Sequence, residues 1–464
     1  MEQNKIIELT VKPDVVVRKW PRVEAYQNTT LRCTPHGDFP EVCASKLGRA
    51  KILRTFVTLD EVWDYKKDEY DWDYAIGVNK HVGDPDFAPY DWGLGKSNGT
   101  MYMEYMTSYA AQADELIYNF RRYEREVMEG LLSFDKYEKA VETVIEHYKE
   151  IFPNIVYIEC CNEVEYLCFG GLDIKDYYEF YKRAYAIVNR LNKKHNYDKP
   201  LKVGGYAMSG CVDSWSRWFE FLRCYAADTN PEKKIDFYSM HDYDPDIYRI
   251  SDFVMRHKEA VRNLGIPDAD ILFDEYGIPM VGGNPLVGNP ADNIKNASRI
   301  ITGINLASHL DRTYVFPWCT FHNPLRQISF TQFIRCEDGT YAPTPNGNAM
   351  TAFHMLAENE IEIVENTKYT TVATADDKYI KILITNPEEE AKNYKITMNN
   401  LNSYSLKYQF YRCTDELNNC LTGDKSLRDF IPTEEGFLTS GKRDELTFRI
   451  ALEPHSFVLA VIEK

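Results

Sequence analysis

The chain has 464 residues and a formal net charge of −17, with 44% hydrophobic, 27% charged and 14% aromatic residues. The composition is that of a globular protein, long enough for one large domain and a smaller one. The negative charge argues against a nucleic-acid partner or an anionic membrane surface, because both attract basic protein surfaces.

The first predicted element is an alternating strand over Lys5–Arg18. Residues 1–27 are predicted to leave the main domain and join a sheet formed later in the chain. This start is too polar for a signal peptide, and no later stretch approaches the ~20 apolar residues of a transmembrane helix. We therefore expect no contact with a membrane.

From residue 28 to residue 358, strand-like and helix-like segments alternate. The clearest helix is Phe134–Ile151, which has one apolar face and Ser133 as a candidate cap. Residues 64–105 are predicted to be a long excursion over one end of the domain. Eight strand–helix units predict an α/β fold, a (β/α)8 barrel. The predicted strands are Thr30–Thr34, Lys51–Thr58, Glu115–Phe120, Ile155–Cys161, Lys202–Tyr206, Phe237–His241, Ile271–Glu275 and Tyr314–Trp318.

The pattern changes in residues 359–464, where short alternating segments are separated by turn residues. Such a pattern is typical of an antiparallel β-sandwich. Together with the N-terminal strand, it predicts a small accessory sandwich built from both chain ends. Its acidic surface and sheet edge allow a homo-oligomer without requiring one.

The eleven cysteines are an odd number, and several lie within apolar runs. This usage predicts reduced, buried thiols in a cytoplasmic protein. The sequence has neither a CxxC pair nor an HExxH motif. We therefore predict no metal site and no other cofactor.

Two apolar, strand-like runs end in glutamates, Glu163 and Glu275. An acid at the mouth of a buried strand is costly unless it is paired or used. The carboxyl ends of barrel strands meet at one mouth, and strands four and seven lie on opposite sides of it. The two carboxylates are therefore predicted to face each other across a sugar ring. A separation near 5.5 Å would give a retaining glycosidase with a covalent intermediate.

Other residues at predicted strand ends are candidates for substrate contacts. Arg54 is placed to hold down the pKa of one glutamate, and Trp318 to form an apolar floor for the sugar, with core packing as its alternative. Asp274 is predicted to face away from the site and to brace the barrel. The full set of predicted substrate-binding residues is Arg54, His36, Asp38, Asn119, Asn162, His241, Tyr243 and Trp318.

The pair Asn162-Glu163 ending strand four and Glu275 ending strand seven resemble clan A of the glycoside hydrolases. The resemblance implies that Glu163 is the acid/base, that Glu275 is the nucleophile and that Asn162 bonds the sugar 2-hydroxyl. Leu201–Gly205, Ser239–Tyr243 and Ala342–Pro345 are similar to family 39, the β-xylosidase and α-L-iduronidase group. Two positions depart from that family's usual pattern: Val164 stands in place of a proline and Asp274 in place of a small or hydroxyl residue.

The leading prediction is thus a retaining exo-glycosidase that removes a terminal neutral sugar, such as a β-xyloside or β-galactoside, from an oligosaccharide or glycoside. An α-L-arabinofuranosidase or an α-L-iduronidase-like enzyme is an alternative. A uronic acid would need cations near the pocket, for which Arg121, Arg122 and Arg326 are the candidates. A non-catalytic carbohydrate-binding protein on the same scaffold is a further alternative.

Overall fold

The computed structural model describes residues 6–28, 39–72, 102–167, 170–210, 214–277, 289–321, 328–364 and 369–464. Within those ranges, no helix is both long enough and apolar enough to span a bilayer.

Eight parallel strands form the central sheet, and each pairs with the next in a regular order. Their apolar side chains are almost all buried, as expected for a parallel sheet covered on both faces. In chain order the strands are β2 (Tyr26–Asn28), β3 (Ala50–Thr58), β6 (Ala113–Arg121), β7 (Ile155–Cys160), β8 (Lys202–Met208), β9 (Phe237–Asp242), β10 (Asp270–Tyr276) and β11 (Thr313–Pro317).

The sheet closes into a barrel because its first and last strands meet. The Asn28 side-chain nitrogen donates to the Phe316 carbonyl at 3.3 Å and to the Asp274 carbonyl at 2.6 Å. At the other end of β2, the Tyr26 ring lies 4.7 Å from the Tyr314 ring, centroid to centroid. The predicted (β/α)8 barrel is confirmed.

Helices surround the barrel and bury one apolar face each against it. The predicted helix Phe134–Ile151 is observed with those bounds, and Ser133 caps it by accepting a hydrogen bond from the Lys136 amide. The helices are α1 (Phe39–Leu47), α2 (Leu59–Val62), α3 (Tyr102–Gln112), α4 (Glu124–Met128), α5 (Phe134–Ile151), α6 (Ile174–His195), α7 (Trp215–Ala227), α8 (Arg249–Leu264), α9 (Pro290–Ala307) and α10 (Pro345–Met355).

We expect the cap of α6 to contribute measurably to stability. The Asp173 carboxylate accepts hydrogen bonds from the amides of Lys175 and Asp176, at 2.8 and 2.9 Å. Asp173→Ala should therefore lower the free energy of unfolding by about 1 kcal/mol, seen as a lower urea midpoint at constant slope. Ser214 occupies the same position before α7 but makes no capping bond with its side chain. Ser214→Ala is the matched control, and an equal loss in both variants would contradict this reading of the cap.

A second sheet of nine strands is mostly antiparallel and curls so that its two edges approach each other. It is the predicted accessory sandwich. Its strands are β1 (Ile6–Lys19), β14 (Asn359–Val364), β15 (Thr371–Ala375), β16 (Tyr379–Asn386), β17 (Lys392–Asn399), β18 (Ser405–Cys413), β19 (Glu434–Thr439), β20 (Glu445–Leu452) and β21 (Ser456–Glu463). Two short hairpins complete the described strands, β4 (Trp63–Asp64) with β5 (Glu69–Tyr70), and β12 (Phe333–Arg335) with β13 (Tyr341–Pro343).

The N-terminal strand lies inside this second sheet and not at its edge. β1 pairs antiparallel with β14 and parallel with β17. The parallel pair departs from the purely antiparallel sandwich expected from the sequence, and it arises because β1 comes from the far end of the chain and needs no hairpin to reach β17. The domain boundaries at 27/28 and 358/359 stay predictions.

Candidate active site

A fully buried arginine organises the mouth of the barrel. Arg54, near the middle of β3, is 0% exposed. Its Nη1 donates to Glu275 Oε1 at 2.7 Å, its Nε to Glu159 Oε2 at 2.8 Å and its Nη2 to Asn162 Oδ1 at 2.8 Å. A buried guanidinium needs such partners, because an unpaired charge in a dry interior costs several kcal/mol. Arg54 thereby ties β3 to the carboxyl ends of β7 and β10.

The backbone turns sharply between β7 and Glu163. Cys161 has φ of +65° and Glu163 has φ of +47°, in the left-handed region that non-glycine residues seldom adopt. Two hydrogen bonds hold this turn: Asn119 Nδ2 donates to the Cys161 carbonyl at 2.6 Å, and the Glu163 amide donates to the Ala207 carbonyl at 3.0 Å. Backbone strain of this kind collects at functional sites, and here it directs the Glu163 side chain towards the barrel axis.

His241 links Glu163 to Arg54. Its Nδ1 lies 2.8 Å from Glu163 Oε1, and its Nε2 lies 3.5 Å from Arg54 Nη2. We assign the hydrogen of the neutral ring to Nδ1, because a guanidinium nitrogen can only donate and Nε2 is then the acceptor. His241 therefore donates to Glu163 and fixes the orientation of that carboxyl group.

Glu275 lies opposite Glu163. The Tyr243 hydroxyl donates to Glu275 Oε2 at 2.8 Å, while Arg54 holds Oε1. One ligand atom from each of Glu163, His241 and Glu275 lies within 4.8 Å of the other two. The two carboxyl groups thus approach closely enough for a single sugar carbon to lie between them.

Aromatic rings form an apolar wall beside these carboxylates. Trp318, at the end of β11, is 5% exposed and packs edge-to-face on Phe56 with 6.1 Å between ring centroids. Phe330 packs edge-to-face on Tyr243 at 5.9 Å. A Cβ at Gly277 would lie only 2.7 Å from the Phe330 ring, so glycine is required there for the close approach of that ring. Flat apolar surfaces next to polar groups suit the C–H faces of sugars.

The pKa shifts in this cluster indicate which carboxyl group is suited to hold a proton. Burial raises the pKa of Glu163, with Glu275 and Glu165 adding to that effect against the opposing hydrogen bond and charge of His241. Burial lowers the pKa of His241, but the neighbouring Glu275 and Glu163 raise it by more. Glu163 is therefore the carboxyl group better suited to hold a proton at rest.

Glu163, His241 and Glu275 are also close enough to share a divalent cation. However, both oxygens of Glu275 already have donors, Arg54 and Tyr243. A cation there would face the Arg54 charge and displace these bonds. The donor set fits an organic substrate better than a resident metal.

The structure brings most of the predicted residues to one place. Arg54, Asn162, His241 and Tyr243 contact a glutamate or Arg54 directly, and Trp318 belongs to the adjacent aromatic wall. Asn119 contacts Glu159 and the backbone of the strained turn. The predicted residues His36 and Asp38 lie outside the described residues.

The predicted direction of the Asp274 side chain was wrong, although the residue does brace the barrel. Its side chain is fully buried inside the barrel, with Oδ2 3.0 Å from Arg54 Nε. Sequence reasoning also missed Phe56 and Phe330 as wall residues. Phe56 could have been found, because it follows Arg54 by two positions and so shares its strand face. Phe330 lies in an irregular segment without periodicity.

Comparison with known proteins identifies the architecture. No family model and no curated protein sequence matches the chain. Among solved structures, a GH39 enzyme from Xanthomonas axonopodis pv. citri superposes with a TM-score of 0.69 at 14% identity, covering 99% of this chain and 98% of that one. The fold is that of glycoside hydrolase family 39.

Two further structures with the family 39 fold differ in their activities. A monomeric β-xylosidase from Caulobacter crescentus CB15 has a TM-score of 0.68 at 13% identity, covering 98% of this chain and 99% of that one. A bacterial orthologue of human α-L-iduronidase has a TM-score of 0.65 at 14% identity, covering 99% and 84%. Structures that share this fold are therefore named for activities on different sugars.

We expect Tyr243→Phe to impair turnover without unfolding the protein. The variant loses one hydrogen bond to a carboxylate, worth about 1.5–3 kcal/mol, or about 10- to 100-fold in rate. The acidic limb of the kcat/KM profile should also move to higher pH, because Glu275 loses a donor that favours its ionised form.

Tyr238→Phe is the matched control for this variant. Tyr238 lies on β9, which ends one residue before Tyr243, but its hydroxyl donates to the Pro267 carbonyl at 2.6 Å, away from the cluster. The control should change stability and leave the pH profile in place. A Tyr243→Phe profile that overlays the wild type would contradict the assigned contact.

Proposed function

We propose that this protein is a retaining glycosidase, with Glu275 as nucleophile and Glu163 as general acid/base. The observation that carries the proposal is the approach of the two carboxyl groups: an oxygen of Glu163 lies within 4.8 Å of an oxygen of Glu275. Retaining enzymes separate these groups by about 5–5.5 Å, whereas inverting enzymes leave about 6.5–9.5 Å for a water molecule.

In the first step, Glu275 attacks the anomeric carbon while Glu163 protonates the departing oxygen. The bond to the leaving group breaks as the bond to Glu275 Oε1 or Oε2 forms, which gives a covalent glycosyl ester. Arg54 and Tyr243 hold the attacking carboxylate in place, and the fold supplies them before substrate arrives.

In the second step, Glu163 acts as the base. It removes a proton from water, which attacks the same carbon, releases Glu275 and returns the sugar with its original configuration. The hydrogen bond from His241 Nδ1 orients Glu163 for both proton transfers.

The lining of the site supports a proposal for the substrate class. The wall of Trp318, Phe56 and Phe330 favours a sugar that presents a C–H face, and a terminal neutral sugar such as a xyloside or galactoside is the first candidate. An exo mode of action is proposed from the sequence alone, because residues 73–101 of the predicted excursion over 64–105 lie outside the described residues.

A uronic acid is the second candidate, because the Arg121 guanidinium lies beside the aromatic wall. The Arg121 guanidinium lies 4.5 Å from the centroid of Phe56, and Arg121 is only 5% exposed. A buried guanidinium beside a wall residue could bind a sugar carboxylate. An α-L-iduronide therefore belongs in the substrate panel.

The test is a panel of chromogenic aryl glycosides: β-xyloside, β-galactoside, β-glucoside, α-L-arabinofuranoside and α-L-iduronide. We expect turnover of at least one, and NMR of the first product formed should show the anomeric configuration of the substrate. Sugar binding without turnover of any member would favour the non-catalytic carbohydrate-binding alternative. A product of opposite configuration would exclude the retaining mechanism.

A further inference from the structure

Asp274 and Glu275 are adjacent, yet both reach Arg54. Along the β9–β10 ladder, Phe273 lies opposite Met240 and Glu275 lies opposite His241, so Asp274 has no partner and forms a bulge. In a regular strand, neighbouring side chains point to opposite faces, and one extra residue changes that alternation. Asp274 is thereby turned inwards beneath Glu275.

This arrangement gives Arg54 three carboxyl neighbours. Ion-pair distances are 2.8 Å to Glu159, 3.0 Å to Asp274 and 2.7 Å to Glu275. His241 Nε2 also lies 3.7 Å from Asp274 Oδ1. One guanidinium cannot neutralise three buried anions, and carboxylates that share a site favour a proton on one of them.

The hydrogen-bond pattern indicates where that proton lies. Among the described residues, Glu159 Oε1 and both oxygens of Asp274 are buried and receive no hydrogen bond from a conventional donor. An unsatisfied buried oxygen costs about 1–3 kcal/mol. Glu159 Oε2 and Asp274 Oδ2 lie 2.8 and 3.0 Å from the same nitrogen, Arg54 Nε. The two carboxyl groups are therefore neighbours, and a single proton between them would satisfy one oxygen on each.

The surroundings place the proton on Asp274. Burial would raise the pKa of Glu159, but Arg54 and hydrogen bonds, including one from Asp274, lower it to about 2. Burial raises the pKa of Asp274 well above its usual value. Arg54 opposes that rise, and the nearby Glu159 and Glu275 reinforce it. Asn119 adds a further donor to Glu159 at 2.7 Å.

We propose that Asp274 is a neutral carboxylic acid that donates a hydrogen bond to Glu159, so that Arg54 shares its charge between Glu159 and Glu275 only. Asp274 is then a positioning residue: it acts on the nucleophile through Arg54 and does not touch the substrate. Its role in turnover rests on the proposed function, whereas its protonation does not.

The direct test is infrared spectroscopy, which separates protonated from ionised carboxyl groups by their C=O stretching bands. The spectra are recorded above pH 7, where Glu124 is ionised, because burial raises the pKa of that glutamate to about 7. The spectrum of Asp274→Asn is then subtracted from that of the wild type. We expect the difference to contain a protonated-carboxyl band. The same subtraction with Asp377→Asn, an exposed aspartate of the sandwich, should show only an ionised one. A difference with only a carboxylate band for Asp274→Asn would overturn the proposal.

The pH profile supplies a second, independent readout. Asp274→Asn removes no charge if the acid is neutral, so the acidic limb of kcat/KM should stay at the wild-type pH. Glu159→Gln removes a true anion next to Arg54, and the limb should move to lower pH because Glu275 ionises more easily. Equal movement in both variants would mean that Asp274 is charged.

Neutron diffraction of the wild-type protein covers the case in which Asp274→Asn does not fold. Nuclear density for a deuterium atom on Asp274, directed at Glu159, is the expected result, and an empty position would refute the proposal. If the wild-type protein is inactive on every glycoside, the proposed function fails and the infrared result still holds. If the infrared band is absent and the protein is fully active, the proposed protonation of Asp274 fails and the proposed function still holds.

Discussion

Glu275→Ala should lower kcat on an aryl glycoside by about 10⁴-fold or more. Glu275 is 6% exposed and held by Arg54 and Tyr243, and the substitution removes the carboxylate that is the proposed nucleophile. The wall and Glu163 remain, and the sugar should still bind, which calorimetry with the free sugar can measure. Steady-state rates and affinity together separate a lost chemical step from lost binding.

Rescue of the Glu275→Ala variant by azide identifies the role of Glu275 more directly than the loss of rate does. The space left by the side chain admits a small anion, which can attack the anomeric carbon directly. Azide should therefore restore turnover of Glu275→Ala and give a glycosyl azide of inverted configuration. Glu165→Gln is the control, because it removes the charge of a nearby glutamate that is not the proposed nucleophile. Glutamine retains the one oxygen through which Glu165 binds the Ser209 amide and hydroxyl. Wild-type activity in Glu275→Ala would remove Glu275 from the mechanism.

Glu163→Gln should produce a defect that depends on the leaving group. General acid catalysis contributes about 10²–10⁴-fold, and a poor leaving group needs all of it. Alkyl glycosides should thus lose much more activity than nitrophenyl glycosides, whose phenolate departs without a proton. The measurement is kcat/KM over a series of leaving groups, and an equal loss across the series would assign Glu163 to binding only.

The pH dependence of the same variant has a defined sign. The acid form of Glu163 is the active one in the first step, so activity falls as pH rises through its pKa. Because burial raises that pKa, the wild-type basic limb should lie at higher pH than for an ordinary glutamate. Glu163→Gln should lack this limb. If the limb persists, another group supplies the proton.

Strand ends were the predictable part of this site. The runs before Glu163 and Glu275 are apolar and end abruptly in an acid, so a burial cost marks both positions in the sequence. The barrel then places them on opposite sides of one mouth. His241 followed from the same rule, because it lies at the end of a predicted strand. Arg54 did not, because it lies near the middle of β3.

The bulge at Asp274 could not be predicted in the same way. Strand alternation assigns Asp274 to the face opposite Glu275, and one unpaired residue in the ladder reverses that assignment. Glu159 shows a second limit. Strand alternation assigns it to the face of Glu163, but only the folded barrel shows that its partner is Arg54, from a strand distant in the sequence.

The position of β1 has a consequence for biosynthesis. It lies between β14 and β17, and the ribosome makes the whole barrel after β1 and before either neighbour. During that interval Leu9 and Val11, which end almost fully buried, have no sheet to enter. The nascent barrel must therefore carry an unpaired, aggregation-prone strand until β14 and β17 emerge. Chaperone demand should be greatest in the interval before these two strands are made.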